Sequence, residues 1–395
     1  MAYSLLLGVA VFVLVISLVK LLEAIYAAIL VPAFPGSAEA KDPAEGLPRL
    51  SVVVPARDEE PELEASLASL LEQDYPELEV ILVNDRSTDR TGEIMDEVAS
   101  VRRNVNVLHV EQLPEGWLGK NHAVHSGVRR TDGDWLLLTD ADVRFRPGTL
   151  RRTVAYAEQQ GLDHLTLVPR WELQSYWLRG VVAFFYMVLL LYEGCYRANL
   201  SRYKKGIGVG AFNLIRHSAY QKIGGYEALA HRPDDDLTLG SRVKESGLQQ
   251  RVLLGHHLIS VKWYGSLSAL AHGFEKNAYA ALNYNLPRAV LYSTSLALIS
   301  VWPFAAIFFS KGYALPLYLG AIASQLGAYA IVNHFLGWRL ALLAIGYPAF
   351  AALFSGLLVR STLLALLQGG VYWRGTFYPA SLLRDEPGPR KKPSS

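Results

Sequence analysis

The chain has 395 residues, 51% of them hydrophobic and 19% charged, with a formal net charge of +2. A near-neutral charge gives no electrostatic footprint for nucleic acid, and the composition is apolar for a purely soluble protein. The single cysteine, Cys195, excludes an internal disulfide framework and fits a reducing compartment.

The chain opens with "YSLLLGVAVFVLVISLVKLLEAIYAAILV", Tyr3 to Val31, long enough to cross a hydrocarbon core, which takes about 20 residues. Lys20 and Glu23 interrupt it and are expected to pair or to face other helices. Nothing marks a removable signal peptide, so residues 1–33 read as a membrane anchor. After Arg288 the chain is apolar again, with candidate spans at Ala289–Phe309, Tyr313–Phe335 and Leu340–Val359, then the weaker run "STLLALLQGG". This gives a C-terminal membrane region over 286–370 and a basic tail over 371–395.

Between them, 47–285 reads as one globular domain. "PRLSVVVPARDEE" is a β-branched strand. "LEVILVNDRSTDRTGEIMDEV" is a strand, a polar turn with Ser87 or Thr88 as cap, and a helix. "VNVLHVEQL" is a third strand, "KNHAVHSGVRR" a helix, "DWLLLTDADV" a fourth strand, "PGTLRRTVAYAEQQG" a helix and "DHLTLVPRW" a fifth strand. Alternating strands and helices predict right-handed βαβ units, an α/β fold with a mostly parallel, Rossmann-like sheet. Ligands of such sheets sit at the carboxyl ends of the strands. Asp58 and Glu59, Asp85, and Asp140 and Asp142 all fall there.

Asp140 and Asp142 are two residues apart, so on a regular strand they would face opposite ways. Their hard oxygens suit Mg²⁺ or Mn²⁺ carrying a diphosphate. Most isolated D-x-D pairs are turn or capping residues, and it is the context of the other strand-end carboxylates that favours the metal. Asp85 is placed to accept hydrogen bonds from a nucleobase or ribose, or to form an Asx turn before Ser87. In "HRPDDDLTLGSRVKESG", Asp234, Asp235 and Asp236 precede a helical pattern. They read as dipole complementation or as the home of a general base.

Taken in order, "VVVPARDEE", "VNDRSTDRT", "GWLGKNHA", "LLLTDADV", "GGY" and "DDDLTLGSRV" resemble the family-2 inverting glycosyltransferases with a GT-A fold, across nearly the whole globular domain. Within that family the chain is most similar to membrane-bound members acting on lipids. These are hopanoid-associated and carotenoid glycosyltransferases, with ceramide glucosyltransferases more distant, and "LPEGWLGKNHA" carries that affinity. The resemblance implies a nucleotide-sugar donor, UDP-glucose in the first instance, a lipid acceptor and a divalent metal, Mg²⁺ or Mn²⁺. By position, Ala56, Arg57, Asp58 and Glu59 match the first nucleotide-binding segment. Asp85 matches the residue holding uridine, and Lys120 a lysine near the nucleotide. Asp140 and Asp142 match the D-x-D motif, with Asp142 the direct metal ligand. Asp236 matches the base, with Arg242 six residues on, and Asp235 its acidic partner. Gly210, Ala211, Phe212 and Asn213 resemble the acceptor-side segment, for which a packed glycine-rich strand is the alternative.

One departure stands out. The Q-x-x-R-W or R-x-x-R-W motif that processive and ceramide-type relatives carry after the base is missing. Lys276 is the candidate to bring positive charge to the diphosphate instead, and the absence favours single-sugar addition over polysaccharide synthesis. A polyprenyl-phosphate sugar synthase stays open through the basic run "NLSRYKKG"; a non-enzymatic membrane scaffold is disfavoured by the intact acidic positions. The helix "GVVAFFYMVLLLYEG" is short for a span and fits an interfacial or re-entrant segment. Nucleotide sugars being cytosolic, the catalytic domain is expected on the cytoplasmic face, in a bacterial inner membrane, with the N-terminus outside. The basic tail then favours an even number of C-terminal crossings, with one apolar segment re-entrant or interfacial. "YWRGTFY", Tyr372 to Tyr378, resembles a membrane-proximal cytosolic motif.

Overall fold

The computed structural model describes residues 2–36, 46–192, 194–338 and 344–383. Helix α1, Ala2–Leu30, is apolar through most of its length. Lys20 and Glu23 pair with each other at 2.7 Å, and Arg197 reaches Glu23 at 2.7 Å, so the charges in the anchor are mutually satisfied. Just after α1, the Phe34 N–H donates to the Leu254 carbonyl at 2.8 Å, clipping the anchor to a sheet edge.

The first half of the domain alternates as expected: β1 Leu50–Ala56, α2 Glu60–Leu71, β2 Leu78–Asp85, α3 Thr91–Val101, β3 Val105–Val110, α4 Gly119–Val128 and β4 Trp135–Leu138. Leu50 to Val54 and Trp135 to Leu138 are buried throughout, as strands covered on both faces must be. These four strands pair in parallel in the order β3-β2-β1-β4. Ser87 and Thr88 do not cap α3. It starts at Thr91, whose N–H donates to Asp89 Oδ1 at 3.0 Å. The Asp58 N–H donates to Ser87 Oγ at 3.1 Å and the Thr88 N–H to Asp58 Oδ1 at 2.7 Å, tying the turns after β1 and β2 together.

The second half is β5 Val143–Phe145, α5 Thr149–Gln159, β6 His164–Val168, β7 Arg170–Trp171, α6 Tyr176–Met187, β8 Asn213–Arg216, α7 His217–Lys222, α8 Asp235–Glu245, β9 Gln250–Leu254 and β10 Ile259–Val261. The sheet continues β4-β8-β6-β9, with β8 antiparallel to both neighbours. That reversal pairs Asn213 with Leu138 and so brings the segment before β8 to the carboxyl end of β4. Strands β5, β10 and β7 form a small second sheet beneath it.

Beyond the domain come α9 Leu267–Asn277, α10 Leu286–Leu296, α11 Trp302–Ala306, α12 Ala314–Phe335 and α13 Tyr347–Gln368, then a hairpin of β11 Gly370–Trp373 and β12 Thr376–Pro379. Among the described residues, four helices are long and apolar enough to cross a membrane: Ser4–Leu30, Leu286–Ala306, Ala314–Phe335 and Tyr347–Gln368. The last joins most of the expected Leu340–Val359 span to "STLLALLQ" in one helix. It starts after "WRLALLAIG", most of which falls outside the described residues.

The first three share an arrangement that α13 does not. Ala10, Ala306, Ala314 and Tyr318 cluster at one end, while Ala24, Ala27, Val31 and Phe335 join the core of the globular domain at the other. Helix α13 instead begins against α6, with Phe350 on Tyr176 and Trp177. It passes α9, where Arg360 meets Glu275 at 2.6 Å, and ends in a hairpin that touches the sheet's carboxyl edge. The first residues of the stretch expected as a basic tail, 371–379, thus form most of this hairpin and pack against Leu118 and Gly119 of the globular domain.

Candidate active site

Two backbone kinks open the site. Asp58 and Arg86, just beyond β1 and β2, have φ of 52° and 57°, a left-handed conformation uncommon outside glycine. Such outliers concentrate where function fixes a geometry. Beside them, Asp85 is buried and held in the fork of its neighbour Arg86, at 2.8 and 3.1 Å. Arg57 Nε is buried, makes no hydrogen bond and lies 3.8 Å from Asp58 Oδ2. Ala56, Arg57, Asp58 and Glu59 all line the same cavity as Asp85. The Asp58 carboxylate also accepts from Thr88, so it shapes the loop as well.

The strand ends before Asp140, and the turn that follows turns both Asp140 and Asp142 to the cavity. The opposite facing expected of a regular strand does not apply. Lys120, at the start of α4, sets its Nζ 2.7 Å from Asp140 Oδ1 and 3.8 Å from Asp235 Oδ2. Burial alone would lower its proton affinity, but Asp140, Asp235 and Asp236 outweigh that and hold it firmly charged. Burial, then Asp140 and then Glu59, push the Asp142 carboxyl well above the usual carboxylate range.

Asp236 stands in the first turn of α8. Its Oδ2 accepts from the Gly210 N–H at 2.9 Å, and the Gly210 carbonyl accepts from the Asp140 N–H at 3.1 Å. One glycine thus links the base candidate to the D-x-D turn. A side chain there would press on Asp140 Oδ2 at 2.6 Å. Burial, then Asp235, raise the Asp236 carboxyl, and Lys120 opposes them. Neighbouring Asp235 is buried and accepts from the Tyr226 hydroxyl at 2.9 Å. Asp234, at the N-cap of α8, makes no side-chain cap bond and pairs with Arg232 at 2.8 Å, whereas Asp236 Oδ1 accepts from the first-turn Leu237 N–H at 2.8 Å. Gly210 and Ala211 line the cavity, whereas Phe212 and Asn213 are shut into the core. Lys276 falls in α9, but its side chain lies outside the described residues.

These groups share one cavity of about 1540 Å³, larger than a pocket for one drug-sized ligand. Its polar end holds Asp85, Lys120, Asp140, Asp142 and Asp236. Its far walls are Phe185, Leu189, Tyr292, Phe335, Phe354 and Leu358, from the helices that face the membrane region. Sequence reasoning missed Arg86, Tyr226 as the partner of Asp235, and the hairpin residues Tyr372, Trp373, Arg374 and Tyr378, which line the cavity too. "GGY" held a signal for Tyr226; for the hairpin only its likeness to a membrane-proximal motif pointed this way. Among the described residues no group of three or more His, Cys, Asp or Glu forms a ready-made metal cage.

Residues 51–224 match the family described as Glycosyl transferase family 2. The 4,4'-diaponeurosporenoate glycosyltransferase of Staphylococcus aureus strain MRSA252 is 23% identical over 346 residues, covering 84% of this chain and 88% of the relative. The counterpart from the bovine strain RF122 / ET3-1 is 23% identical over 343 residues, with the same coverage. Among solved structures, the mannosyltransferase PcManGT from Pyrobaculum calidifontis, in complex with GDP-Man and Mn²⁺, superposes with a TM-score of 0.52 at 18% identity. The match covers 92% of this chain and 99% of that one, a likeness of fold.

Proposed function

We propose that this chain, whose globular part is a family-2 glycosyltransferase domain of GT-A fold, transfers one sugar from a nucleotide sugar to a hydroxyl of an apolar lipid, inverting the anomeric centre. UDP-glucose is the donor we expect. The observation that carries this reading is the continuity of one cavity from the strand-end carboxylates to the apolar walls of Phe354 and Leu358. A polar donor and an apolar acceptor meet beside Asp236.

In the reaction, the Asp236 carboxylate takes the proton of the acceptor hydroxyl. That oxygen bonds to the anomeric carbon, the bond from carbon to the diphosphate oxygen breaks, and the nucleoside diphosphate leaves. A raised proton affinity suits a base working near neutrality, and the Gly210 and Leu237 N–H groups, each donating to one oxygen of Asp236, hold the carboxylate in a fixed orientation. Asp85, Arg86 and Arg57 are the groups to hold the nucleoside. Asp142 and Asp140 offer hard oxygens that fit Mg²⁺ or Mn²⁺, the diphosphate completing a coordination the protein leaves open. When bound, the metal would stabilise charge on the departing diphosphate.

The diaponeurosporenoate acted on by the relatives supports a long apolar acceptor. The packing of α1, α10 with α11, and α12 supports three membrane crossings, with α13 lying along the cytoplasmic face of a bacterial inner membrane and the N-terminus outside. That gives two C-terminal crossings. Lys205 and Arg232 on the cavity wall keep a polyprenyl-phosphate acceptor as the second reading.

The test is UDP release by the detergent-purified protein over a panel of UDP-sugars with Mn²⁺ or Mg²⁺, with and without host lipid extract or a polyprenyl phosphate. Release that needs one donor and the neutral lipids supports the proposal. Release only with the polyprenyl phosphate supports the second reading, and no release with any UDP-sugar refutes the donor assignment.

A further inference from the structure

The hairpin of β11 and β12 turns through Arg374 and Gly375, with φ of 46° and 76°. Two successive left-handed residues make the tight turn that suits a two-residue hairpin, and asparagine or glycine is its usual first residue. A long L side chain in that conformation is unfavourable, so the arginine is held there against local preference, a mark of functional sites. The hairpin is well anchored. Its strands pair from Gly370 with Pro379 to Trp373 with Thr376. Val371 and Tyr378 are buried beside Leu118 and Tyr279. The Gly119 N–H donates to the Tyr378 hydroxyl at 3.2 Å, and Arg57 Nη1 donates to Thr376 Oγ1 at 3.4 Å.

So fixed, the turn delivers Arg374 to the donor end of the cavity, where its guanidinium donates to Glu59. Among the described residues Glu59 is its one hydrogen-bond partner, so most of the five N–H donors of the guanidinium remain for a ligand. Lys120, by contrast, is already surrounded by Asp140, Asp235 and Asp236. Of these two cations lining the donor end of the cavity, Lys120 is neutralised by aspartates, while Arg374 has a single carboxylate partner that stands across from the D-x-D turn.

We propose that Arg374 is a donor-binding residue that contacts the β-phosphate of the nucleotide sugar, filling the place of the missing arginine-tryptophan motif. This rests on the glycosyltransferase reading of the site. A forked guanidinium matches phosphate oxygens in two-point contact, and Glu59 would orient it before the donor arrives.

The experiment is calorimetric binding of UDP and UMP to the full-length detergent-purified protein, as wild type, Arg374→Gly and Arg374→Lys, with thermal unfolding alongside. Glycine suits both turn positions, so Arg374→Gly should unfold no earlier than wild type. It should bind UDP about tenfold more weakly, the loss of one charge-assisted contact, while UMP, which lacks the β-phosphate, changes less than about twofold on the same scale. Arg374→Lys should recover part of the UDP affinity. Unchanged UDP binding in Arg374→Gly, or an equal loss for UDP and UMP, would overturn the proposal while leaving the donor reading intact. Wild-type protein that binds neither UDP nor GDP would refute the donor reading itself, and Arg374's role with it.

Discussion

Asp236→Asn should make the protein inactive and more stable at once. Desolvation and the adjacent Asp235 raise the Asp236 carboxyl from 3.8 to about 6, against the opposing charge of Lys120. A carboxyl whose folded-state value lies above its unfolded one favours folding only while it is protonated. The contribution is neutral below about pH 4 and becomes a cost as pH rises through 4 to 6, complete above that. At 1.36 kcal/mol per unit, the cost at pH 7.5 is about 3 kcal/mol. Asparagine removes it, but its single oxygen can accept from only one of the Gly210 and Leu237 N–H groups that the two Asp236 oxygens hold, which costs about 1 kcal/mol. Lys120 then has one carboxylate fewer, which returns part of the gain, so a net stabilisation of about 1–2 kcal/mol is expected. The rate should fall by about 10²–10⁴ with the base gone. The assay pairs thermal unfolding at pH 7.5 and pH 5 with single-turnover UDP release. The stabilisation should be clear at pH 7.5 and shrink at pH 5, where wild-type Asp236 is mostly protonated. An equal or lower unfolding midpoint at pH 7.5 would refute the electrostatic argument, and near wild-type transfer would refute the base. A carboxylate acceptor needs no proton removed, so survival of transfer to such an acceptor alone would reassign the acceptor chemistry.

The wild-type rate should itself decline about tenfold per pH unit below about 6, since only ionised Asp236 can take the proton; a flat kcat/KM profile between pH 5 and 7 would count against it. Asp142→Ala is expected to abolish turnover that depends on Mn²⁺ or Mg²⁺, and equal wild-type rates with and without a chelator would remove the metal from the scheme. Glu23→Gln leaves Lys20 and Arg197 without their shared carboxylate, and should cost about 3 kcal/mol, read as a lower unfolding midpoint in detergent. Gly240→Ala would drive a methyl into the Ile207 carbonyl and Gly208 backbone, a clash with no flexible partner to yield. The expected loss exceeds about 3 kcal/mol, and a normal yield of folded protein would contradict the packing described.

The parallel half of the sheet was legible because its strands are long, β-branched and buried on both faces, and because acidic turns mark their ends. For strand β8 a strand was one of two alternatives, but its place and reversal in the sheet were not legible, since they depend on partners distant in sequence. The opposite facing of Asp140 and Asp142 failed for a local reason: the strand stops two residues before the first of them. The resemblance pointed to Asp236 and Lys120, which the fold brings to one cavity, but not to the sharing of the lysine by three aspartates, nor to the backbone of Gly210 joining Asp236 to the D-x-D turn. The hairpin escaped because two four-residue strands beside a long apolar helix look like the end of a membrane region. What makes them part of the site is Glu59, more than 300 residues earlier.

Helix α13 exposes Leu353, Val359, Leu363, Leu366 and Leu367 on one side and gives Phe354 and Leu358 to the cavity on the other. A crossing helix such as α12 responds to bilayer thickness; a helix lying in the surface responds to how tightly lipids pack around it. On the proposed in-plane placement of α13, with the hairpin bearing Arg374 following it after Gly369, crowding in the surrounding leaflet would reach both the apolar cavity wall and the hairpin. Turnover should then vary with acyl-chain saturation in nanodiscs of constant thickness.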